Sequence, residues 1–480
     1  MSEPTQPPVV SRDGGIAAVL RVAFPLIMAS SGHAFRLFAD RVMLSAYSRE
    51  AISASMPAGL LCFAAMAFFI GTAGYVNTFV AQYTGAGRDD RVGIAIWQGL
   101  YLSLIGGLIV AGIGEFAETL FDWVGHAPEI RSEQVVYFQV LSRFGFAGIA
   151  LSAVNAFWSG RGRTRTVMVV ELFCAALNIG LNYLLIFGNL GLPRLGILGA
   201  GLATGLSNVA GLVLALSLLF SRRNRTVFGT FPRRTLDLPL LGRILRFGLP
   251  NGLQFTLDIV AFNVFIVWMG RAGPVVLEAV NIAFGLEVMA FLPIIGLGMA
   301  VSVFVGQGVG AKDITFARHS VHSALLVATV YNIAIAAVFV LMPGPILELF
   351  ARPNDAAQVE SLQMAVRCLR YISIYLLFDA LYIIYSHAIK GAGDTRFAMI
   401  AGLTLSWGTL VLPCYIAMRL SMSIWTMWWI LVVHVGLAGI VFWLRYRGNK
   451  WQTMSVIEES PAEQARATGS EVDIQVERGI

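Results

Sequence analysis

The chain has 480 residues, 57% of them hydrophobic and only 13% charged, with a mean hydropathy of +0.73 and a formal net charge of +6. A soluble domain is typically about 45–50% apolar and about 25% charged, so the composition excludes one and describes an integral membrane protein. No basic–aromatic patch of the nucleic-acid kind accompanies the positive charge, and Cys62, Cys174, Cys368 and Cys414 lack the paired spacing of a disulfide framework or zinc site.

Residues 1–15, MSEPTQPPVVSRDGG, form a polar, proline-containing tail without the basic start and short apolar core of a cleaved signal. Twelve apolar windows follow, at roughly 16–40, 51–80, 92–114, 134–158, 166–188, 197–220, 247–270, 276–305, 318–343, 363–388, 398–419 and 424–446. About 20 apolar residues, rising about 1.5 Å each, are needed to cross about 30 Å of hydrocarbon, so each window reads as a membrane-spanning helix. The longest polar interruption, residues 221–246, separates the sixth and seventh and reads as an interlobe linker. Residues 447–480 are polar and poor in aromatics and read as a disordered tail.

Orientation follows from lysine and arginine placement. With both termini on one side, that side carries 23 of the 34 basic residues and the opposite loops carry seven. Both termini are therefore expected in the cytoplasm, with the chain in the cell (inner) membrane. Arg36, Arg143, Arg367 and Arg370 fall within spans. The last three read as snorkelling cations or structural partners.

Two stretches behind apolar runs, VAQYTGAGRDD from Val80 and VGQGVGAKDIT from Val305, look at first like phosphate loops. They lack the GxxxxGK[ST] spacing and are better explained as copies of one unit. At a shift of 225 residues, Arg21, Pro25, Gly71, Val80, Gln82, Gly85 and Ala86 match Arg246, Pro250, Gly296, Val305, Gln307, Gly310 and Ala311. At a shift of 231, GRGRTR (160–165) matches GAGDTR (391–396). Each unit holds six spans, an even number, so the repeats are parallel. The expected fold is all-α: two pseudo-symmetric six-helix lobes, 16–220 and 247–446, facing each other across a central cleft suited to alternating access.

A carboxylate at mid-bilayer costs roughly 2.5–3.5 kcal/mol on insertion scales and is read as functional by default. Asp258, Glu287 and Asp379 lie mid-span, with Tyr375 one turn before Asp379 on the same face, and Asp40 closes the first window. In a low-dielectric cleft such an acid takes up a proton or binds a cation. The structural alternatives are acids bonded within their own lobe, an interfacial pair of Asp40 with Arg36 or Arg41, and a protonated Glu287 bonded to a carbonyl. Asn155, Asn178, Asn182, Thr204, Asn208 and Asn263 read as polar contacts between helices, and His33, His387 and His434 as packed polar residues. No clustered nucleophile or metal motif marks the chain as an enzyme.

The paired proline-bearing first helices, the two glycine turns, LGILGAGLAT (195–204) and KGAGDTR (390–396) resemble the MATE (multidrug and toxic compound extrusion) transporters over roughly residues 16–446. The resemblance implies a monomeric antiporter without cofactor or ATPase module, exporting amphipathic, cationic organic compounds in exchange for sodium ions or protons. It implies a cation site, sodium included, at Asp258, Tyr375 and Asp379 in the C-terminal lobe. In the N-terminal lobe it implies a protonation site at Asp40, near Asn178, Asn182 and Thr204. Two positions depart from the pattern: Asn182 stands where some members carry an acid, and Glu287 where relatives carry a small polar residue. Glu287 joins the C-lobe set on its own chemistry. A flippase for a lipid-linked sugar on the same superfamily fold is the alternative, and the mid-membrane acids count against it.

Overall fold

In the computed structural model, residues 13–124, 127–231, 235–348 and 356–459 are described. Residues 1–12 and 460–480 of the two tails, 232–234 of the linker and Arg352 lie outside them. Among the described residues, eleven helices are long and apolar enough to cross a membrane, and a twelfth crossing is made by Pro128–Arg143 and Gly145–Ser159, bent by 40° at Phe144. In chain order the spans are Ile16–Tyr47, Arg49–Gly85, Asp89–Glu115, that bent pair, Thr164–Phe187, Ile197–Leu219, Leu238–Gly270, Pro274–Gly310, Ile314–Leu341, Ala356–Ala392, Thr395–Arg419 and Ile424–Arg447. They are called spans 1 to 12 below. Several run beyond their apolar windows because polar caps start them early: Asp237 accepts from the Leu240 amide and Asp313 from the Phe316 amide, 3.0 and 2.9 Å.

The two lobes meet through spans 1 and 2 against spans 8 and 7, and their contacts repeat the sequence symmetry. Gly71 lies so close to span 7 that a Cβ would stand 2.8 Å from the Gly252 Cα; Gly296, its repeat partner, would meet the Ile27 backbone nitrogen at 2.9 Å. Ile27 is the repeat equivalent of Gly252. At the end carrying the termini, Gly85 abuts the Gln307 carbonyl and Gly310 abuts the Gln82 carbonyl. The two buried glutamines reach across in the same manner. Gln82 Nε2 donates to the Gly391 and Ala392 carbonyls at 3.1 and 3.2 Å, and Gln307 Nε2 donates to the Gly160 carbonyl at 2.9 Å. The glycine turns are thus the seam that closes one end of the crevice. In the other half of the facing helices, Phe35, Met56 and Met289 are exposed. In the turns themselves the positive φ belongs to Gly87 (69°) and, in the second copy, to Lys312 (58°), not to Gly85 or Gly310.

The stretch 447–459, read from composition as disordered tail, is ordered instead. Trp451, in a short 3-10 turn, stacks on Tyr446 with centroids 5.0 Å apart. The chain then crosses the seam: Val456 is buried beside Gly393, and its amide donates to Gln82 Oε1 at 2.9 Å. Glu458 ends on the N-terminal lobe. It pairs with Arg88 and Arg91 and accepts from the Tyr83 hydroxyl at 2.8 Å, while Arg243 at the start of span 7 holds its other side at 2.8 Å. The linker packs too, with Trp97 Nε1 donating to the Thr230 carbonyl at 2.7 Å and Arg91 pairing with Asp237 at 3.0 Å.

Candidate functional site

Span 10 is the spine of the C-terminal lobe, packed by spans 8, 9 and 12. Tyr375, Asp379, Tyr382, Ser386 and Lys390 recur at steps of four, three, four and four, one helical face. Tyr375 and Asp379 are buried. Asp379 lies within electrostatic reach of Glu287 on span 8, and Tyr375 is within reach of both acids. Asp379 Oδ2 is buried and, among the described residues, has no hydrogen-bond partner. An acceptor in this condition is unstable as a bare charge and asks for a proton or a cation.

Asp258 stands across the lobe on span 7 and accepts from the Ser406 hydroxyl at 2.9 Å. Ser406 opens a π-helical stretch, Ser406–Val411, in span 11. Pro413, which lacks an amide proton, lies two residues beyond it, and single π turns of this kind recur at functional sites. Tyr382 lies within electrostatic reach of both Asp258 and Asp379. Gln254, one turn before Asp258, leaves its buried Oε1 without a partner, as does Thr256 Oγ1. Three carboxylates and three unpaired oxygens therefore belong to one lobe, and Lys390 is the cation that interacts with Asp258. Among the described residues, no three His, Cys, Asp or Glu side chains converge to hold a metal ion; the oxygen-only donors around Asp379 suit a proton or a hard monovalent cation.

The N-terminal lobe holds a different arrangement. Asp40 accepts from Asn182 Nδ2, and Thr204 Oγ1 stands 3.5 Å from its other oxygen. Asn182 also donates to Asn178 Oδ1 at 3.1 Å, and Asn178 donates to Thr204 at 3.2 Å. The four residues singled out in the sequence form one closed ring, and Asp40 has partners on both oxygens where Asp379 does not. Arg36, one turn earlier, makes no ion pair with Asp40 among the described residues. It donates instead to Asn208 Oδ1 at 2.9 Å and to His33 Nδ1 at 2.8 Å.

Sequence reasoning missed two members of these sites. Glu171, which accepts from Asn155 Nδ2 at 2.9 Å and interacts with Arg36, sits in the second turn of span 5 and was not among the acids singled out in the sequence. Its signal was the shared face with Cys174, Asn178 and Asn182. Lys390 was counted as a loop cation because it precedes a glycine turn; its spacing from Asp379, eleven residues or about three helical turns, places it on the inner face.

A family model described as MatE matches residues 25–184 and 250–416. A protein of Pseudomonas aeruginosa described as a probable multidrug resistance protein NorM is 29% identical over 94% of this chain and 92% of its own length. A Burkholderia pseudomallei protein of the same description is 28% identical over 92% and 94%. Among solved structures, a MOP superfamily transporter from Pyrococcus furiosus superposes with a TM-score of 0.84 at 21% identity, covering 94% of this chain and all of its own. A structure described as the outward-facing conformation of a multidrug resistance MATE transporter gives the same TM-score and coverage at 22% identity.

Proposed function

This chain belongs to the MatE family, and from that premise we propose that it is a secondary active antiporter that exports amphipathic organic cations in exchange for sodium ions or protons. The observation that carries the reading is the unpaired, buried oxygen of Asp379 beside Glu287 and Tyr375. It supports the C-terminal lobe as the cation-binding lobe, since each oxygen of Asp40 in the other lobe already has a hydrogen-bond partner.

Asp258, Glu287 and Asp379 supply the negative charge, Tyr375 and Tyr382 the neutral oxygens between them, and Lys390 the internal counter-charge. An organic cation and the coupling ion draw on the same charge, so that each binds best when the other has left. Protonation of Asp40 weakens the hydrogen bonds it accepts from Asn182 and Thr204, which links its protonation to the packing of spans 1, 5 and 6. A membrane potential contributes about 2.3 kcal/mol per charge per 100 mV, enough for modest concentrative export without a nucleotide. Both lobes lie on one chain, so a monomer suffices. With the termini in the cytoplasm, the seam at Gln82 and Gln307 closes the inward path and the crevice faces outward.

The test is efflux of a cationic dye from proteoliposomes under an imposed sodium or proton gradient, with Asp258→Asn, Asp379→Asn and Asp40→Asn alongside. Exchange driven by one gradient and lost in the two C-lobe variants is the expected result. Wild-type rates in all three variants overturn the assignment.

A further inference from the structure

We infer that the lipid-facing surface between spans 10 and 12, at the end of the bundle away from the termini, binds the phosphodiester of an anionic phospholipid. An open cavity of about 420 Å³ lies there, lined by Arg367, Arg370, Tyr371, Ile374, Trp425 and Trp429. Its wall is built rather than incidental. The Tyr371 ring stacks on Trp425 with centroids 5.7 Å apart and 12° between planes, and meets Trp429 edge-on at 5.3 Å. Tyr371 also stacks on Trp428, which is fully buried and ties the wall to the lobe core. The Arg367 guanidinium lies 5.6 Å from the Trp425 ring centroid.

The direction of this surface follows from the helix. On span 10, Tyr375 and Asp379 point into the lobe, and Arg367, Arg370, Ile374 and Leu377 occupy the opposite, exposed face. Toward the termini the same surface continues as exposed Val433, Leu437 and Ile440 of span 12. A helix-long apolar surface of this kind faces acyl chains. Arg370 precedes Lys390 by 20 residues, about 30 Å of helix, which equals the hydrocarbon thickness. Trp425 is the second residue of span 12. The guanidinium groups thus stand at headgroup level in one leaflet, where aromatic residues concentrate.

Among the described residues, neither Arg367 nor Arg370 has a carboxylate within ion-pair distance. Two guanidinium groups one turn apart repel each other and share no protein anion. A phosphodiester offers two non-bridging oxygens to two planar donor forks, and its acyl chains continue along Ile374 and Leu377. A headgroup with its own ammonium would bring a third cation to the pair, so a net-anionic lipid is the fitting occupant.

The measurement is native mass spectrometry of the delipidated full-length protein titrated with phosphatidylglycerol or phosphatidylcholine, with millimolar inorganic phosphate as competitor. The wild type is expected to retain one phosphatidylglycerol at a concentration on the order of tenfold below that for phosphatidylcholine, the preference two cations give near an anionic headgroup. Arg367→Gln with Arg370→Gln abolishes the preference. Arg367→Lys with Arg370→Lys keeps part of it, which separates charge from folding, and Arg271→Gln, at the same end but outside the cavity, leaves it intact. Equal retention of both lipids by the wild type, or an unchanged preference in the Gln pair, overturns the inference. Displacement by inorganic phosphate also overturns it, by assigning the cavity to a free anion.

Discussion

Glu458 fastens the C-terminal segment to the opposite lobe, and its removal is expected to loosen the closed end of the crevice. The perturbation is Glu458→Gln, which keeps shape and a hydrogen bond to Tyr83 but removes the charge facing Arg88 and Arg91. These side chains are 21–25% exposed, so the pairs are partly screened and each contributes about 0.5–1 kcal/mol. They share one carboxylate and are not additive; about 1–1.5 kcal/mol is expected, roughly a tenfold shift in the closed-to-open ratio of this end of the crevice. Arg165 and Arg396 are exposed, repeat-related and on opposite lobes at this end. Spin labels at Arg165→Cys and Arg396→Cys, in a background free of the four buried native cysteines, read the separation by pulsed electron spin resonance. Growth of the long-distance population in Glu458→Gln is the expected result. An unchanged distance distribution refutes the seam role of this segment. The pH dependence has a definite sign. Burial works against the charged form, but a hydrogen bond from its own backbone amide, the Tyr83 hydroxyl and the Arg88 and Arg91 charges together hold the Glu458 carboxyl below its ordinary 4.5. A depressed value stabilises the docked state above the free value and is lost as pH falls through the docked one. The seam should therefore be insensitive to pH between 6 and 8 and weaken only below about 4.5.

Gly310→Val places a side chain on the Gln82 carbonyl; overpacking of this kind costs about 1–3 kcal/mol, and the same label pair should report a wider closed end, with a wild-type distribution counting against the packing argument. Asn182→Ala removes a donor to Asp40 and to Asn178 at once, which should lower stability by about 1–3 kcal/mol and the melting temperature with it; an unchanged melting curve would mean that the ring is not load-sharing. Asn155→Ala leaves the half-buried Glu171 without its hydrogen-bond donor and should cost about 1–2 kcal/mol, again read by thermal melting. In transport, Asp379→Asn is expected to reduce dye binding more than Asp40→Asn does, because of the two acids only Asp379 carries an unpaired oxygen among the described residues; equal loss of binding in both would contradict the lobe assignment.

Much of the fold was legible because its causes are local or periodic. Apolar windows report spans, since a bilayer demands a fixed helix length, and the shifts of 225 and 231 residues report parallel repeats because equivalent glycines and glutamines meet the same steric demand twice. The ring around Asp40 was legible through its polar residues on spans 1, 5 and 6. What a one-dimensional reading left open were residues whose chemistry depends on direction. Lys390 sits at a helix end yet points inward, Arg36 turns to Asn208 and His33 rather than to Asp40, and Glu171 is carried into the lobe by its face of span 5. The segment 447–459 lacks the hydrophobicity to order itself; it is ordered because two lobes, distant in sequence, present Gln82, Arg88 and Arg91 side by side to receive it. The sequence by itself determined the number of crossings, their pairing and the intramembrane acids, all set by solvation and period. Only the tertiary structure decided which carboxylate lacks a partner, which arginines face lipid, and that the glycine turns are a seam, because each depends on what another helix places opposite.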